Sequence, residues 1–126
     1  MNLLKLNPNI QELYILNEFI NDITGKSDFQ VDLILEEVFV NIVNYSNSDY
    51  INVKASFENA ILTVEFIDNG IAFNPLLKKD PETPENIEDA KIGGLGIFLT
   101  KKMADEIDYQ YMNGENHLII TKHVKI

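Results

Sequence analysis

Three short groups of residues in this 126-residue chain have the types and spacing to do chemistry. In "VDLILEEVFVNIVNY", Glu37, Asn41 and Asn44 fall within about 60° of one another on a helical projection, as a polar stripe in an otherwise apolar segment. A glutamate there can take a proton from a hydroxyl or water, and an asparagine oxygen one turn on can ligate Mg²⁺. In "EFIDNGIAF", strand alternation carries Asp68 onto the same side as Leu62, Val64 and Phe66. A carboxylate at the end of a core-facing side must find donors, and an exocyclic amine such as adenine's is one. Gly70 lets the backbone pass close to a planar ligand. In "AKIGGLGIFLTKKMADEI", Gly93, Gly94 and Gly96 stand just ahead of an amphipathic helix, where unhindered N–H groups and the positive end of the helix dipole suit an anion.

Each group also has a plain structural reading. The stripe could face a strip of solvent, Asp-Asn-Gly is ordinary turn chemistry, and the glycines could form a flexible joint. Spacing removes two better-known phosphate loops. GxxxxGK[ST] is absent, and GxGxxG fails where Leu99 follows Gly94 and Gly96.

The elements that must position these groups follow from periodicity. "MNLLKL" reads as a short strand. Asn7-Pro8 is an N-cap type followed by proline at the first helical position. Leu13, Leu16, Ile20 and Ile23 then recur at helical spacing until Gly25 stops the helix. Ser27 and Gln30 form a capping box for a second helix over 28–46. Ile51, Val53, Ala55 and Phe57 alternate with polar residues, as do Leu62, Val64 and Phe66, which predicts an antiparallel hairpin. Residues 74–91 hold three of the four prolines without periodicity and read as a long surface loop of the lid or binding type. A helix over 95–105 follows, then "IDYQYM" and "HLIITKHVKI" as a hairpin across "NGEN". The order β-α-α-β-β-loop-α-β-β predicts an α+β, two-layer sandwich with helices on one face of a mixed, mostly antiparallel sheet, in a single domain over 1–126.

Composition narrows the function classes. The net charge is −10, all ten basic residues are lysine, and there is no arginine. Such a field disfavours nucleic acid and anionic membrane as partners. A phosphate site must then rely on backbone N–H groups, a few lysines and a divalent cation. There is no cysteine, hence no disulfide framework or thiolate metal site. No segment reads as a signal peptide or approaches the roughly 20 apolar residues of a membrane span, so the expected compartment is cytoplasmic.

Taken in order, E-x-x-x-N on a helix, D-x-G after a strand and G-x-G opening a helix behind a long loop resemble the histidine-kinase-like ATPase superfamily, the GHKL or Bergerat fold. "EEVFVNIVNY" is similar to its N box, "IDNGIAF" to its first glycine box and "KIGGLGIFLTKKMADEIDY" to its second. The compact size, short lid and "GGLGIFL" wording most resemble the anti-sigma-factor serine/threonine kinases. The resemblance implies ATP and Mg²⁺ as cofactors. It implies Glu37 as general base and Asn41 as the Mg²⁺ ligand, with Asn44 extending the metal or phosphate shell. Asp68 would accept from the adenine amine, and Gly70 and Ala72 would shape the base pocket. Gly93, Gly94, Leu95 and Gly96 would offer N–H groups to the phosphates, residues 74–92 would be the ATP lid, and Thr121 would bridge to adenine through water. The implied partner is a small anti-sigma-antagonist, STAS-like domain, with a sigma factor as a second partner and a homodimer as a common assembly. A non-catalytic module of the same fold, binding partners according to nucleotide state, is the alternative. The chain departs from the family pattern at Tyr45, where many relatives carry histidine, and in its lack of arginine.

Overall fold

The computed structural model describes residues 2–72, 74 and 100–125. Strand β1 (Asn2–Leu6) leads through a 3-10 turn (Ile10–Glu12) into α1 (Leu13–Thr24) and α2 (Phe29–Tyr45). A hairpin of β2 (Ile51–Glu58) and β3 (Ile61–Asp68) follows, and after helical residues 100–103 the chain closes with β4 (Glu106–Met112) and β5 (Glu115–His123). The element order is the expected one. The helix expected over 95–105 ends by residue 103, because the Asp105 N–H turns away to bond Thr121 O of the sheet at 2.9 Å.

Both helix starts lie one or two residues past the expected caps. Asn9, not Asn7, caps the first segment, its side chain accepting from Gln11 N at 2.9 Å. Asn7 instead bonds back to the Glu12 carboxylate through its N–H and its Nδ2, each at 3.0 Å. Asp28 caps α2 by accepting from Val31 N at 3.0 Å, while Ser27 donates to Asp32 Oδ2 at 3.3 Å, so the Ser27/Gln30 box does not form. An anionic acceptor at the positive end of a helix displaces a neighbouring serine. Gly25 stops α1 as expected, in the left-handed conformation at φ 78°.

The strands lie in the order β1-β2-β3-β5-β4, and every described pairing is antiparallel, with no parallel member of a mixed sheet among them. Alternation marks one face of the inner strands, although Ile67 and His117 on the other face are buried as well. Ile51, Val53, Ala55, Leu62, Val64 and Phe66 turn to one face and are buried there against Leu16, Ile20, Leu35, Val38 and Phe39 of the helices. This is the two-layer sandwich with helices on one face. Burying so much of α2 against both the sheet and α1 fixes its roll, and therefore fixes where its polar residues point. No helix among the described residues is long and apolar enough to cross a membrane.

Candidate nucleotide site

Asp68 is the last residue of β3 and continues the core-facing phase of Leu62, Val64 and Phe66, as expected; it is only 3% exposed. A carboxylate that deep needs hydrogen bonds. Its Oδ1 accepts from Gly70 N at 2.9 Å and from Asn116 Nδ2 at 3.1 Å. Among the described residues no hydrogen bond falls on Oδ2, which leaves that atom as an acceptor for a ligand.

Asn116 holds more than Asp68. It sits directly across from Asp68 in the β3–β5 register, and its Nδ2 also reaches Ile71 O at 3.0 Å and Gly70 O at 3.4 Å. Its Oδ1 accepts from the Tyr109 hydroxyl. The turn after β3 is thus pinned from β5, and that pin is in turn held from β4.

The other wall comes from α2. Asn41 is 9% exposed, and its Oδ1 is buried without a hydrogen-bond partner among the described residues. A pocket opens between the two walls, lined from α2 and its end by Val38, Asn41, Ile42, Tyr45 and Ser46, and from the sheet by Asp68, Tyr109, Asn116 and Leu118. Its character is an apolar slot with a few convergent polar groups, the usual form of a small-molecule site. Gly70 closes one corner, where its backbone packs on the carbonyl of Ser46.

The polar stripe of α2 is not one surface. Asn41 faces the pocket, Glu37 lies half-buried one turn earlier and outside the pocket lining, and Asn44 is exposed. Burial, and after it the neighbouring charge of Glu36, push the Glu37 carboxyl above the ordinary glutamate range. A carboxylate so placed is a better proton acceptor than an exposed one.

Other expected site residues are not brought to this pocket. Ala72 is exposed and does not line it. Thr121 pairs with Thr63 and follows Leu118 and Ile120 out of phase, which sets it on the sheet face away from the helices. The water-bridging role expected of Thr121 therefore has no geometric basis here. Gly93, Gly94, Leu95 and Gly96 lie outside the described residues, as does the lid over 74–92 apart from Asn74.

Asn116 and Tyr109 were not among the expected site residues. The hairpin turn is only Asn113-Gly114, both at positive φ (54° and 76°), so Glu115 and Asn116 belong to β5 and not to a four-residue turn. With that turn placed, Asn116 falls in phase with Leu118 and Ile120, and its polarity on a core-facing side becomes a signal.

The donor set suits a purine nucleotide with a divalent cation in part. No three His, Cys, Asp or Glu side chains converge among the described residues. A Mg²⁺ ion here would be held chiefly by phosphate oxygens and water, with the unpaired Asn41 oxygen as the protein's contribution. The hard carboxamide oxygen fits that role, and the Asp68 acceptor fits an amino-bearing base.

The chain matches the histidine kinase-like ATPase domain over residues 14–122. It is 27% identical over 99 residues to the serine/threonine-protein kinase BtrW of Bordetella bronchiseptica, a match covering 75% of this chain and 70% of that protein. The catalytic domain of histidine kinase ThkA superposes with a TM-score of 0.57 at 16% identity, over 98% of this chain and 97% of that one. The histidine kinase AdeS of Acinetobacter baumannii superposes with a TM-score of 0.55 at 11% identity, over 100% of this chain and 69% of that one.

Proposed function

This chain belongs to the histidine kinase-like ATPase family, and from that premise we propose that it is an ATP-dependent protein serine/threonine kinase of the anti-sigma-factor type. Its substrate is a hydroxyl on a small STAS-like anti-sigma-antagonist protein, in a partner-switching pathway where a sigma factor is the competing ligand. The observation that carries this is the joint placement of Asp68 and Asn41 on opposite walls of one pocket, each with an acceptor oxygen left for a ligand, and Glu37 one turn from Asn41. The serine/threonine kinase named among its relatives supports the choice of acceptor.

In this mechanism Asp68 Oδ2 accepts from the amino group of adenine, in a slot whose apolar lining includes Leu118 and Val38. Asn41 Oδ1 would hold Mg²⁺, which would supply positive charge to the phosphates. Glu37 takes the proton of the acceptor serine or threonine as its oxygen forms a bond to the γ-phosphorus and the bond to the ADP oxygen breaks. Little covalent work falls to the protein: positioning and charge neutralisation dominate phosphoryl transfer.

The deciding experiment compares binding with transfer. Glu37→Ala should keep ATP–Mg²⁺ affinity within about twofold while abolishing phosphate transfer to a STAS-domain protein that co-purifies with the chain. Transfer by the variant at the wild-type rate overturns the kinase assignment and leaves the nucleotide-dependent binding module. A wild-type protein whose melting temperature does not rise in millimolar ATP and Mg²⁺ overturns both.

A further inference from the structure

Resting on the nucleotide site proposed above, we propose that Tyr109 is a positioning residue for base selection, acting on Asp68 through the carboxamide of Asn116. Tyr109 comes from the edge strand β4, and its ring packs against the core. Its hydroxyl donates to Asn116 Oδ1. That bond anchors the oxygen end of the amide, while the acceptors at its other end set which way round it lies. The Nδ2 end then faces three acceptors at once: Asp68 Oδ1 at 3.1 Å, Ile71 O at 3.0 Å and Gly70 O at 3.4 Å. A reversed amide would set its oxygen against all three.

The consequence reaches the ligand. With Gly70 N–H at 2.9 Å on the same Oδ1, the carboxylate of Asp68 is clamped by two donors on one oxygen. Its plane cannot turn without breaking one of them. The second oxygen is thereby offered in a fixed direction, purely as an acceptor. A purine with a 6-amino group can donate to it, whereas a 6-oxo purine presents a second acceptor and is repelled. Asn116 is buried (5% exposed), so a water replacing the Tyr109 hydroxyl would hold that amide less firmly than the fixed ring does. Discrimination between ATP and ITP is thus set partly by a hydroxyl two side chains away from the base.

The test is a double-mutant cycle on nucleotide binding, read by calorimetry with ATP and with ITP in Mg²⁺. Tyr109→Phe keeps the ring and removes only the hydroxyl. It should lower the ATP-to-ITP affinity ratio about threefold to tenfold, through weaker ATP binding with ITP binding held. In an Asn116→Ala background the same substitution should leave the ratio unchanged, because the link it acts through is gone. Equal weakening of ATP and ITP by Tyr109→Phe would mean a merely structural role and overturns the inference. So does an undiminished effect of Tyr109→Phe in the Asn116→Ala background. A wild-type protein that binds ATP and prefers it to ITP, with a ratio unmoved by Tyr109→Phe, overturns this inference alone and leaves the kinase proposal standing. Thermal melting of each variant without nucleotide separates these outcomes from a folding defect.

Discussion

A β-carbon on Gly70 would stand 2.1 Å from the backbone oxygen of Ser46 and 2.7 Å from its carbonyl carbon. The same Ser46 oxygen accepts from Ile71 N at 2.7 Å, so the end of α2 and the turn after β3 are locked backbone to backbone. These are the two walls of the pocket, and only a residue without a side chain lets them meet. Gly70→Ala should therefore lower the urea midpoint by the equivalent of about 1–3 kcal/mol and weaken ATP binding together with it, since the wall must shift. Unchanged values of both would show that the contact is easily relaxed.

Asn41 sets stability against function. Its Oδ1 is buried and unpaired, which costs the folded protein the desolvation of a polar atom. Asn41→Leu removes that atom and adds apolar contact beside Val38 and Ile42. The variant should be as stable as the wild type or more stable, by about 1 kcal/mol. The gain in ATP affinity produced by Mg²⁺ should disappear in the same variant. Calorimetry with and without Mg²⁺, paired with denaturation, checks both halves. Marked destabilisation would mean that Asn41 serves the fold.

The two hairpins supply an internal control on backbone strain. Asn59 and Ala60 join β2 to β3 at φ 53° and 65°, and Asn113 and Gly114 join β4 to β5 at φ 54° and 76°. Both are two-residue turns with positive φ throughout, which favours Asn-Gly. Ala60 holds that conformation with a β-carbon. Ala60→Gly should stabilise the protein by about 0.5 kcal/mol or more, and Gly114→Ala should destabilise it by about 1 kcal/mol. Changes of the same sign at the two turns would rule out this account.

Much of this arrangement was legible in the sequence, because two periodicities report faces directly. Alternation through Leu62, Val64 and Phe66 placed Asp68 on the buried side, and the apolar spacing of α2 gave its extent to within a residue at each end. What a helical projection cannot report is depth. Glu37, Asn41 and Asn44 share a stripe, yet they range from half-buried to buried to exposed, because the packing of α1 and the sheet is uneven along the helix. Parity also separates Thr121 from the pocket. Once the second hairpin is a two-residue turn, β5 begins at Glu115, and parity alone sends Asn116 to the pocket and Thr121 to the far face. The cap of α2 differs from the expected one for a chemical reason: Asp28 outcompetes Ser27 for the same helix end.

The acidity of Glu37 ties catalysis to pH with a definite sign. Its carboxyl is raised above the ordinary glutamate range, first by burial and then by the charge of Glu36. A general base must be unprotonated, so phosphate transfer should rise with pH through that raised pKa, on an acid limb above that of a free glutamate. Stability runs the other way. The folded state holds this proton more tightly than the unfolded chain does, so across the interval between the two pKa values the contribution of Glu37 falls as pH rises. Glu36→Gln removes the like charge and should move the acid limb to lower pH. The shift should be small, because Glu36 is exposed and burial is the larger cause. Salt near 1 M, where the Debye length is about 3 Å, should produce a similar downward shift in the wild type and little further change in the variant. An acid limb at the position of a free glutamate, or one that Glu36→Gln moves to higher pH, would mean that Glu37 is not the base.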